Sequence, residues 1–223
     1  MKRFAALSAV VFCLAWASCH SDMDGSKTEE TLPFFNRPDW TPEWIPREDP
    51  RYDSIHAIPP FTLTDQSGRR FTEKDLDGRI HVASFFFTRC RSVCPRMNRN
   101  LLELRRRLKE EQRVLLLSYS VDPENDSAEV LLRYALDMDI DTAGWRLLTG
   151  DRETVYRLAK KEYFAGDSIG YAEPQDAFLH TENLVLVDGR RRIRGVYNGT
   201  LRTEVERLAE DIRILSKEIG RIE

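Results

Sequence analysis

The spacing of apolar and polar positions along the chain predicts strands and helices in alternation. Short apolar runs bounded by turn residues are typical of strands, whereas apolar residues three and four positions apart are typical of helices. The predicted strands are Phe61–Thr64, Arg70–Thr72, His81–Phe87, Val114–Val121, Trp145–Leu148, Asn183–Val187 and Arg192–Tyr197. The predicted helices are Met97–Lys109, Ser127–Met138, Glu153–Tyr163 and Thr203–Ile219.

The order of these elements indicates the fold. From His81 onward, strand, helix, strand and helix follow one another, which predicts parallel strands at the centre of a sheet. The last two strands flank Asp188 and Gly189 as a hairpin, and a long helix closes the chain. Parallel β-α-β units followed by a hairpin and a helix are the layout of a thioredoxin-like α/β fold. We therefore expect a mixed central sheet flanked by helices, with an N-terminal tether.

The first 19 residues have the pattern of an export signal. Lys2 and Arg3 supply positive charge, Phe4–Ala17 is a short apolar stretch, and a small residue precedes Cys19. The triplet ending at Cys19 resembles a bacterial lipoprotein box, although Trp16 stands where such boxes usually carry Leu. We expect Cys19 to be lipidated, with simple cleavage or an uncleaved anchor as the alternatives. The protein is then exported and lipid-anchored to a cell-envelope membrane, with its domain outside the cytoplasm.

Composition divides the rest of the chain into a tether and a domain. Residues 20–59 are rich in proline and polar residues, which predicts a flexible tether whose aromatic residues can dock on the domain. Residues 60–223 hold all the predicted elements and form the folded domain. The 34 Lys and Arg residues nearly balance 37 Asp and Glu residues, so no broad basic field marks nucleic acid as a partner.

Cys90 and Cys94 are the most informative residues, because they lie one helical turn apart where an apolar strand gives way to a helix. Residues four apart in a helix are neighbours, and the positive end of the helix dipole stabilises a thiolate over a thiol. We expect both sulfurs on one helix face. Such a pair can hold a soft metal, form a redox-active disulfide, or do both.

The spacing of the two cysteines favours a metal without excluding oxidation. Their Cα atoms would lie about 6 Å apart, which a disulfide can bridge. Three residues intervene where the usual oxidoreductase motif has two. Zinc and iron–sulfur clusters usually need four protein ligands, whereas copper(I) is content with two or three soft ones and fits best. A structural disulfide or an inert buried pair is the alternative. In an oxidising compartment the pair needs a thiol reductant, unless oxidation is part of its work.

His180 comes immediately before the first strand of the predicted hairpin. In a thioredoxin-like layout that strand would pass close to the cysteine pair. A lone histidine is more often a surface or core residue than a ligand, so its position alone does not establish metal binding.

Four motifs in the same order resemble the Sco/SenC family. They are the stretch from Phe85 to Pro95 with both cysteines, the segment Ser120–Asp126, the turn Leu148–Asp151, and His180-Thr181 before an apolar strand. This family comprises thioredoxin-fold, membrane-attached copper chaperones that assemble the dinuclear copper centre of cytochrome c oxidase.

The resemblance, which runs from about Phe61 to the C-terminus, implies specific roles. It implies that Cys90, Cys94 and His180 bind one copper ion per chain, as Cu(I) or Cu(II). It implies a partner in the oxidase subunit that carries the copper centre, or in another copper acceptor. Asp122 becomes a candidate supporting group or partner contact, with a turn-initiating Asp before proline as the equal alternative. Many members carry Pro and Asp between the cysteines where this chain has Arg91 and Ser92, which adds positive charge beside the site.

Two classes of function compete for the cysteine pair. A metallochaperone would bind copper and pass it on by ligand exchange. A membrane-attached thiol–disulfide oxidoreductase, or a peroxide-reducing enzyme, would use Cys90 as nucleophile and Cys94 as resolving thiol. His180 discriminates them, because a general dithiol reductase needs no imidazole ligand. We expect the chaperone.

Overall fold

The computed structural model of the chain describes residues 31–166 and 181–220. Within these residues, two short N-terminal strands pair with each other and seven further strands form one mixed sheet. The strands are β1 Phe34–Phe35, β2 Pro42–Glu43, β3 Thr62–Asp65, β4 Arg70–Thr72, β5 Ile80–Phe86, β6 Val114–Ser120, β7 Trp145–Thr149, β8 Asn183–Val187 and β9 Ile193–Asn198.

The large sheet has the order β4-β3-β7-β6-β5-β8-β9. Strand β6 pairs in parallel with both β5 and β7, and the remaining pairs are antiparallel. Every residue of β5 and β6 is buried, as expected for central strands covered on both faces. The predicted α/β fold with a mixed sheet and a parallel centre is therefore confirmed.

Four α-helices lie between and after the strands: α1 Cys94–Arg107, α2 Ala128–Asp137, α3 Arg152–Arg157 and α4 Arg202–Gly220. Side chains that precede two of them cap free N–H groups. Ser127 accepts from the amide of Val130 at 3.3 Å, and Asp151 accepts from the amide of Thr154 at 2.8 Å. The predicted helix through Tyr163 is instead α3 followed by a π-helical turn, Leu158–Glu162.

Two apolar cores cover the two faces of the sheet. Because neighbouring strand residues point to opposite faces, Val82 and Phe86 of β5 join the core that contains α1 and α4. Ala83 and Phe85 join the second core, with Val155 of α3. The sheet is thus the middle layer of a three-layer domain.

His81, at the second position of β5, belongs to the second core. Its Nε2 lies 3.0 Å from the hydroxyl oxygen of Tyr163. Burial, followed by the charge of Arg191, lowers the pKa of His81 to about 3. It is therefore a neutral core residue near the start of β5, at the opposite end of that strand from the cysteines.

The segment 31–59 is packed against the domain, which corrects the prediction of a flexible tether up to residue 59. The compact unit starts at Thr31 rather than at residue 60. Arg194 of β9 is 5% exposed and donates to the carbonyl oxygens of Leu32 and Pro33 at 2.7 and 3.0 Å. Its guanidinium also lies over the ring of Phe34, 4.3 Å from the centroid. Arg194, which also pairs with the carboxylate of Glu218 at 2.8 Å, thus joins the start of this segment to β9, and a buried apolar cluster of Phe34, Ile45 and Ile55 lies within the segment.

Candidate metal centre

The loop between β5 and α1 carries both cysteines at the carboxyl end of β5, where sites in open α/β sheets form. Cys94 is the first residue of α1, four residues after Cys90. The helix was predicted from Met97, with both sulfurs on one helical face. That expectation was wrong, because Cys90 lies in the loop that precedes the helix.

The Cys90 sulfur accepts hydrogen bonds that favour its thiolate. Burial raises the pKa of Cys90, but hydrogen bonds from the Cys94 thiol and from the backbone N–H groups of Cys94 and Ser92 together outweigh it, so the pKa is lowered. The Ser92 hydroxyl oxygen lies 3.6 Å from the same sulfur. Backbone N–H groups at the start of α1 therefore contribute to the thiolate character that was expected at this position.

Cys94 has the opposite character. Burial, and then the hydrogen bond that its thiol donates to Cys90, raise the pKa of Cys94 to about 12. Neither cysteine is in a disulfide, and both are buried: Cys90 is 8% exposed and Cys94 is 3% exposed. The Cys94 thiol therefore keeps its proton near neutral pH and donates it to the Cys90 sulfur.

The two sulfurs suit a soft cation. Copper(I) binding to both sulfurs would release the proton of Cys94, because metal ligation requires deprotonated sulfurs. Among residues 31–166 and 181–220, no three His, Cys, Asp or Glu side chains cluster in a way that could hold a metal. The described chain therefore brings together two of the three predicted ligands.

The third predicted ligand, His180, and the predicted lipidation site, Cys19, lie outside the described residues. The neighbour of His180, Thr181, is buried, and its hydroxyl oxygen accepts from the amide of Asn183 at 3.1 Å. Strand β8, which begins at Asn183, pairs antiparallel with β5. The start of β8 therefore lies beside the strand that leads to the cysteines.

A buried carboxylate that the sequence reasoning missed anchors the cysteine loop. Asp126 is fully buried, and its two oxygens accept from the amide of Thr88 at 3.1 Å and from the hydroxyl of Thr88 at 2.5 Å. The hydroxyl of Ser120, at the end of β6, donates to the same carboxylate at 2.5 Å. Thr88 lies two residues before Cys90, so Asp126 fixes the start of the loop. Its place in the segment Ser120–Asp126 was the one sequence signal that could have identified it.

Asp122 initiates a turn and also contacts the segment that carries the cysteines. Its carbonyl oxygen accepts from the amides of Asn125 and Asp126, so it does initiate a turn. Its carboxylate, which is buried, also accepts from Nη2 of Arg89 at 2.7 Å and from Nδ2 of Asn125 at 2.8 Å. Arg89 precedes Cys90, so Asp122 holds a cation at the edge of the cysteine pair.

Tyr134 of α2 is a second residue that the sequence reasoning missed. Burial, followed by the charges of Cys94 and Cys90, raises the pKa of Tyr134 to about 12. Its hydroxyl oxygen accepts from Nδ2 of Asn98, on α1, at 2.5 Å, and its ring packs against Phe86. The tyrosine stays protonated near neutral pH and, with Phe86, belongs to the apolar surroundings of the dithiol.

In the described residues, no helix is long and apolar enough to cross a membrane.

Comparison with known proteins identifies relatives over most of the chain. The SCO1/SenC family model matches residues 50–217. A SCO1/SenC family lipoprotein from Bacillus anthracis, a solved structure, superposes with a TM-score of 0.64 and 32% identity, covering 73% of this chain and 96% of that one.

Two further solved structures carry information on function. BsSco, a member of the Sco family of cytochrome c oxidase assembly proteins in which a disulfide switch was identified, has a TM-score of 0.62 and 28% identity. The match covers 73% of this chain and 95% of BsSco. ScoI of Bradyrhizobium japonicum, solved with copper bound, has a TM-score of 0.58 and 26% identity, with 71% and 99% covered.

The unequal thiols predict a pH-dependent difference in alkylation. Iodoacetamide should modify Cys90 first, at a rate that rises with pH through its lowered pKa, while Cys94 stays slow until strongly alkaline pH. Mass spectrometry of the two peptides measures both rates. Cys94→Ala should move the Cys90 profile to higher pH, because it removes the S–H donor. Ser92→Ala keeps its N–H donor and should move the profile less. Equal rates for the two thiols would contradict this assignment.

Loss of the Asp126 carboxylate should loosen the cysteine loop. In Asp126→Asn, an NH2 group takes the place of one of the two carboxylate oxygens that accept from Thr88 or Ser120. Because an NH2 group can only donate, at least one buried donor loses its acceptor. We expect the free energy of unfolding to fall by about 1–3 kcal/mol in urea titrations. The exposed Asp137→Asn is the matched control and should stay within about 0.5 kcal/mol of wild type. An unfolding curve for Asp126→Asn that overlays the wild-type curve would refute the anchoring role.

Proposed function

This chain belongs to the SCO1/SenC family, and we propose that it is a copper metallochaperone that delivers copper to the dinuclear copper centre of cytochrome c oxidase, or prepares the cysteines of that centre. The observation that carries the proposal is the hydrogen-bonded pair of Cys90 and Cys94 at the carboxyl end of β5. Family membership and the copper-bound relative support copper as the ion.

In this proposal the ion is cargo, held by few ligands so that it can leave. Two sulfurs and one imidazole, from Cys90, Cys94 and His180, bind one ion and leave room for an incoming sulfur from the acceptor. Two thiolates favour copper(I), and the imidazole extends the range to copper(II), which prefers nitrogen donors. Release by ligand exchange returns the proton to Cys94, because its buried thiol disfavours the charged form without a metal.

The same sulfurs also connect copper binding to redox state. Oxidation to a disulfide would remove both sulfur ligands at once, so the chaperone needs a thiol reductant in its compartment. The disulfide switch identified in BsSco supports this coupling. General disulfide or peroxide reduction is the less favoured alternative, because family membership and the copper-bound relative both support copper binding.

The ligand set predicts distinct losses in copper titrations. Cys90→Ser and Cys94→Ser should each abolish tight copper(I) binding, which should be one ion per chain in the reduced wild-type protein. His180→Ala should weaken copper(II) binding more than copper(I) binding. Anaerobic competition with a chromophoric copper(I) chelator and spectroscopic copper(II) titration measure the two affinities.

The matched control for the histidine is His56→Gln. His56 Nε2 lies 2.8 Å from the Glu162 carbonyl oxygen, a contact that a glutamine amide can keep. Its copper affinities should equal those of wild type. Cysteine variants that bind copper(I) as tightly as wild type would eliminate the site.

We also propose that Cys19 carries the lipid that attaches the chaperone to the cell-envelope membrane. The lipoprotein from Bacillus anthracis supports this mode of attachment. Cys19→Ala should release the protein from the membrane fraction or leave it unprocessed, because a lipid-bearing cysteine supplies the anchor. Cell fractionation followed by mass spectrometry of the N-terminus measures both. Ser18→Ala, a neighbouring change that keeps a small residue, is the control. Normal processing with full membrane retention in Cys19→Ala would rule the anchor out.

A further inference from the structure

Four exposed arginines surround the cysteine pair. Arg89 and Arg91 flank Cys90, and Arg96 and Arg99 lie on the exposed side of the first two turns of α1. We call these four residues the arginine rim. No acidic residue occurs between Arg89 and Arg99, in a chain whose formal net charge is −3. The rim is therefore a local reversal of the protein's overall charge.

The rim opposes the ordinary electrostatics of a helix start. The N-terminus of a helix carries partial positive charge, so acidic residues there stabilise it and basic residues cost a few tenths of a kcal/mol. Helices α2, α3 and α4 follow this preference, with Glu129, Glu153 and Glu204 in their first turns. Helix α1 has no acidic residue in its first turn and carries Arg96 there. Helix stability does not explain the rim.

Most of the rim is unpaired, and the paired member is held in place. In the described part of the chain, Arg91, Arg96 and Arg99 take part in no ion pair, whereas other exposed arginines such as Arg133 and Arg202 pair with glutamates. Arg89 is bound at 2.7 Å by the buried carboxylate of Asp122, yet its own side chain is 61% exposed. Among the described residues, the rim thus presents one cation fixed by a carboxylate and three cations that form no ion pair.

The charges lie close enough to act on whatever approaches the sulfurs. Arg99 is five helical residues beyond Cys94, about 7.5 Å along the axis. The Debye length is about 8 Å at physiological ionic strength, so charges on residues this near in the chain are only partly screened where a partner approaches the dithiol.

We propose that the arginine rim is the docking surface for an acidic acceptor, a protein that presents carboxylates around its own metal-binding sulfurs. The inference rests on the proposed function, since the partner that must reach both sulfurs is the copper acceptor. Complementary charge steers such a partner to the dithiol and rejects basic thiol proteins, which affects association rate and specificity more than affinity.

Charged peptide disulfides test the rim without an identified acceptor. Three probes have the same central cysteine, flanked by glutamate, glutamine or lysine, and each is used as its symmetrical disulfide. The Cys90 thiolate attacks a peptide sulfur and releases one peptide thiolate. Cys94 then loses its proton and attacks the mixed disulfide, so that the protein ends as the Cys90–Cys94 disulfide and two peptides are reduced. For each protein variant, the rates with the glutamate and lysine peptides are divided by the rate with the glutamine peptide. This ratio removes the effect of any change that the substitution causes in the pKa of the protein thiols.

The glutamate peptide should react about 10-fold faster than the lysine peptide at low salt, and the ratio should approach one at about 1 M salt, where the Debye length is about 3 Å. The variant Arg91→Gln, Arg96→Gln, Arg99→Gln should lose most of the preference. Arg89 is left intact because it neutralises buried Asp122.

A matched triple variant separates position from net charge. Arg106, Arg133 and Arg202 are 70%, 72% and 77% exposed in their side chains, and each pairs with an exposed glutamate. Changing all three to Gln removes the same charge elsewhere on the surface and should keep the wild-type ratio. A ratio near one in wild type, or the same ratio in the rim variant as in wild type, would overturn the proposal.

Two further measurements complete the test. Co-sedimentation with phosphatidylcholine vesicles, with and without phosphatidylglycerol, examines a membrane as the alternative occupant. Binding to the anionic vesicles that is lost in the rim variant, without discrimination among peptides, would overturn acidic-protein docking. Copper(I) titration of the same samples separates the proposed function from the proposed role of the rim. Protein that discriminates the peptides but binds no copper would contradict the proposed function and would still support the charge selectivity of the rim.

Discussion

The cysteine loop depends on a buried carboxylate. The two oxygens of Asp126 accept from Thr88 at the start of the loop and from Ser120 at the end of β6, so one group joins two neighbouring strand ends. A buried carboxylate is stable only when its lone pairs are used, and three donors meet that need. The backbone of the loop is thereby fixed two residues before Cys90. The pair of Arg89 and Asp122 adds a second restraint immediately before Cys90.

The loop geometry gives the two thiols different chemistry. Burial alone would raise the pKa of both, and it does so for Cys94. The pKa of Cys90 is lowered instead, because several hydrogen-bond donors contact its sulfur, including the thiol of Cys94. In the proposed function, a soft cation takes the place of the proton on Cys94 and binds both sulfurs. The same closeness of the two sulfurs allows them to form a disulfide, so the proposed copper binding would depend on their redox state.

The surroundings of the dithiol combine an apolar interior with a cationic exterior. Phe86 and Tyr134 line the inner side, where low polarity strengthens the hydrogen bonds between the sulfurs. The outer side carries the arginine rim, with Arg89 fixed by buried Asp122. Arg91 and Ser92, between the two cysteines, are exposed on that outer side. A partner that reaches the sulfurs therefore meets positive charge first.

Apolar periodicity and turn residues are local properties of the chain, and they were sufficient to predict the seven strands of the large sheet and the four helices in order. Cys90 and Cys94 were identifiable for the same reason, since soft ligands at a strand-to-helix junction are visible in a short stretch. The position of Cys90 before the helix is evident only in the folded structure, as are the positions of Asp126 and Tyr134, which surround the pair from other elements. The packing of residues 31–59, whose first residues bond to Arg194, is likewise evident only there. Each of these depends on hydrogen bonds between residues far apart in the chain, and such pairings leave no periodic signal in the sequence.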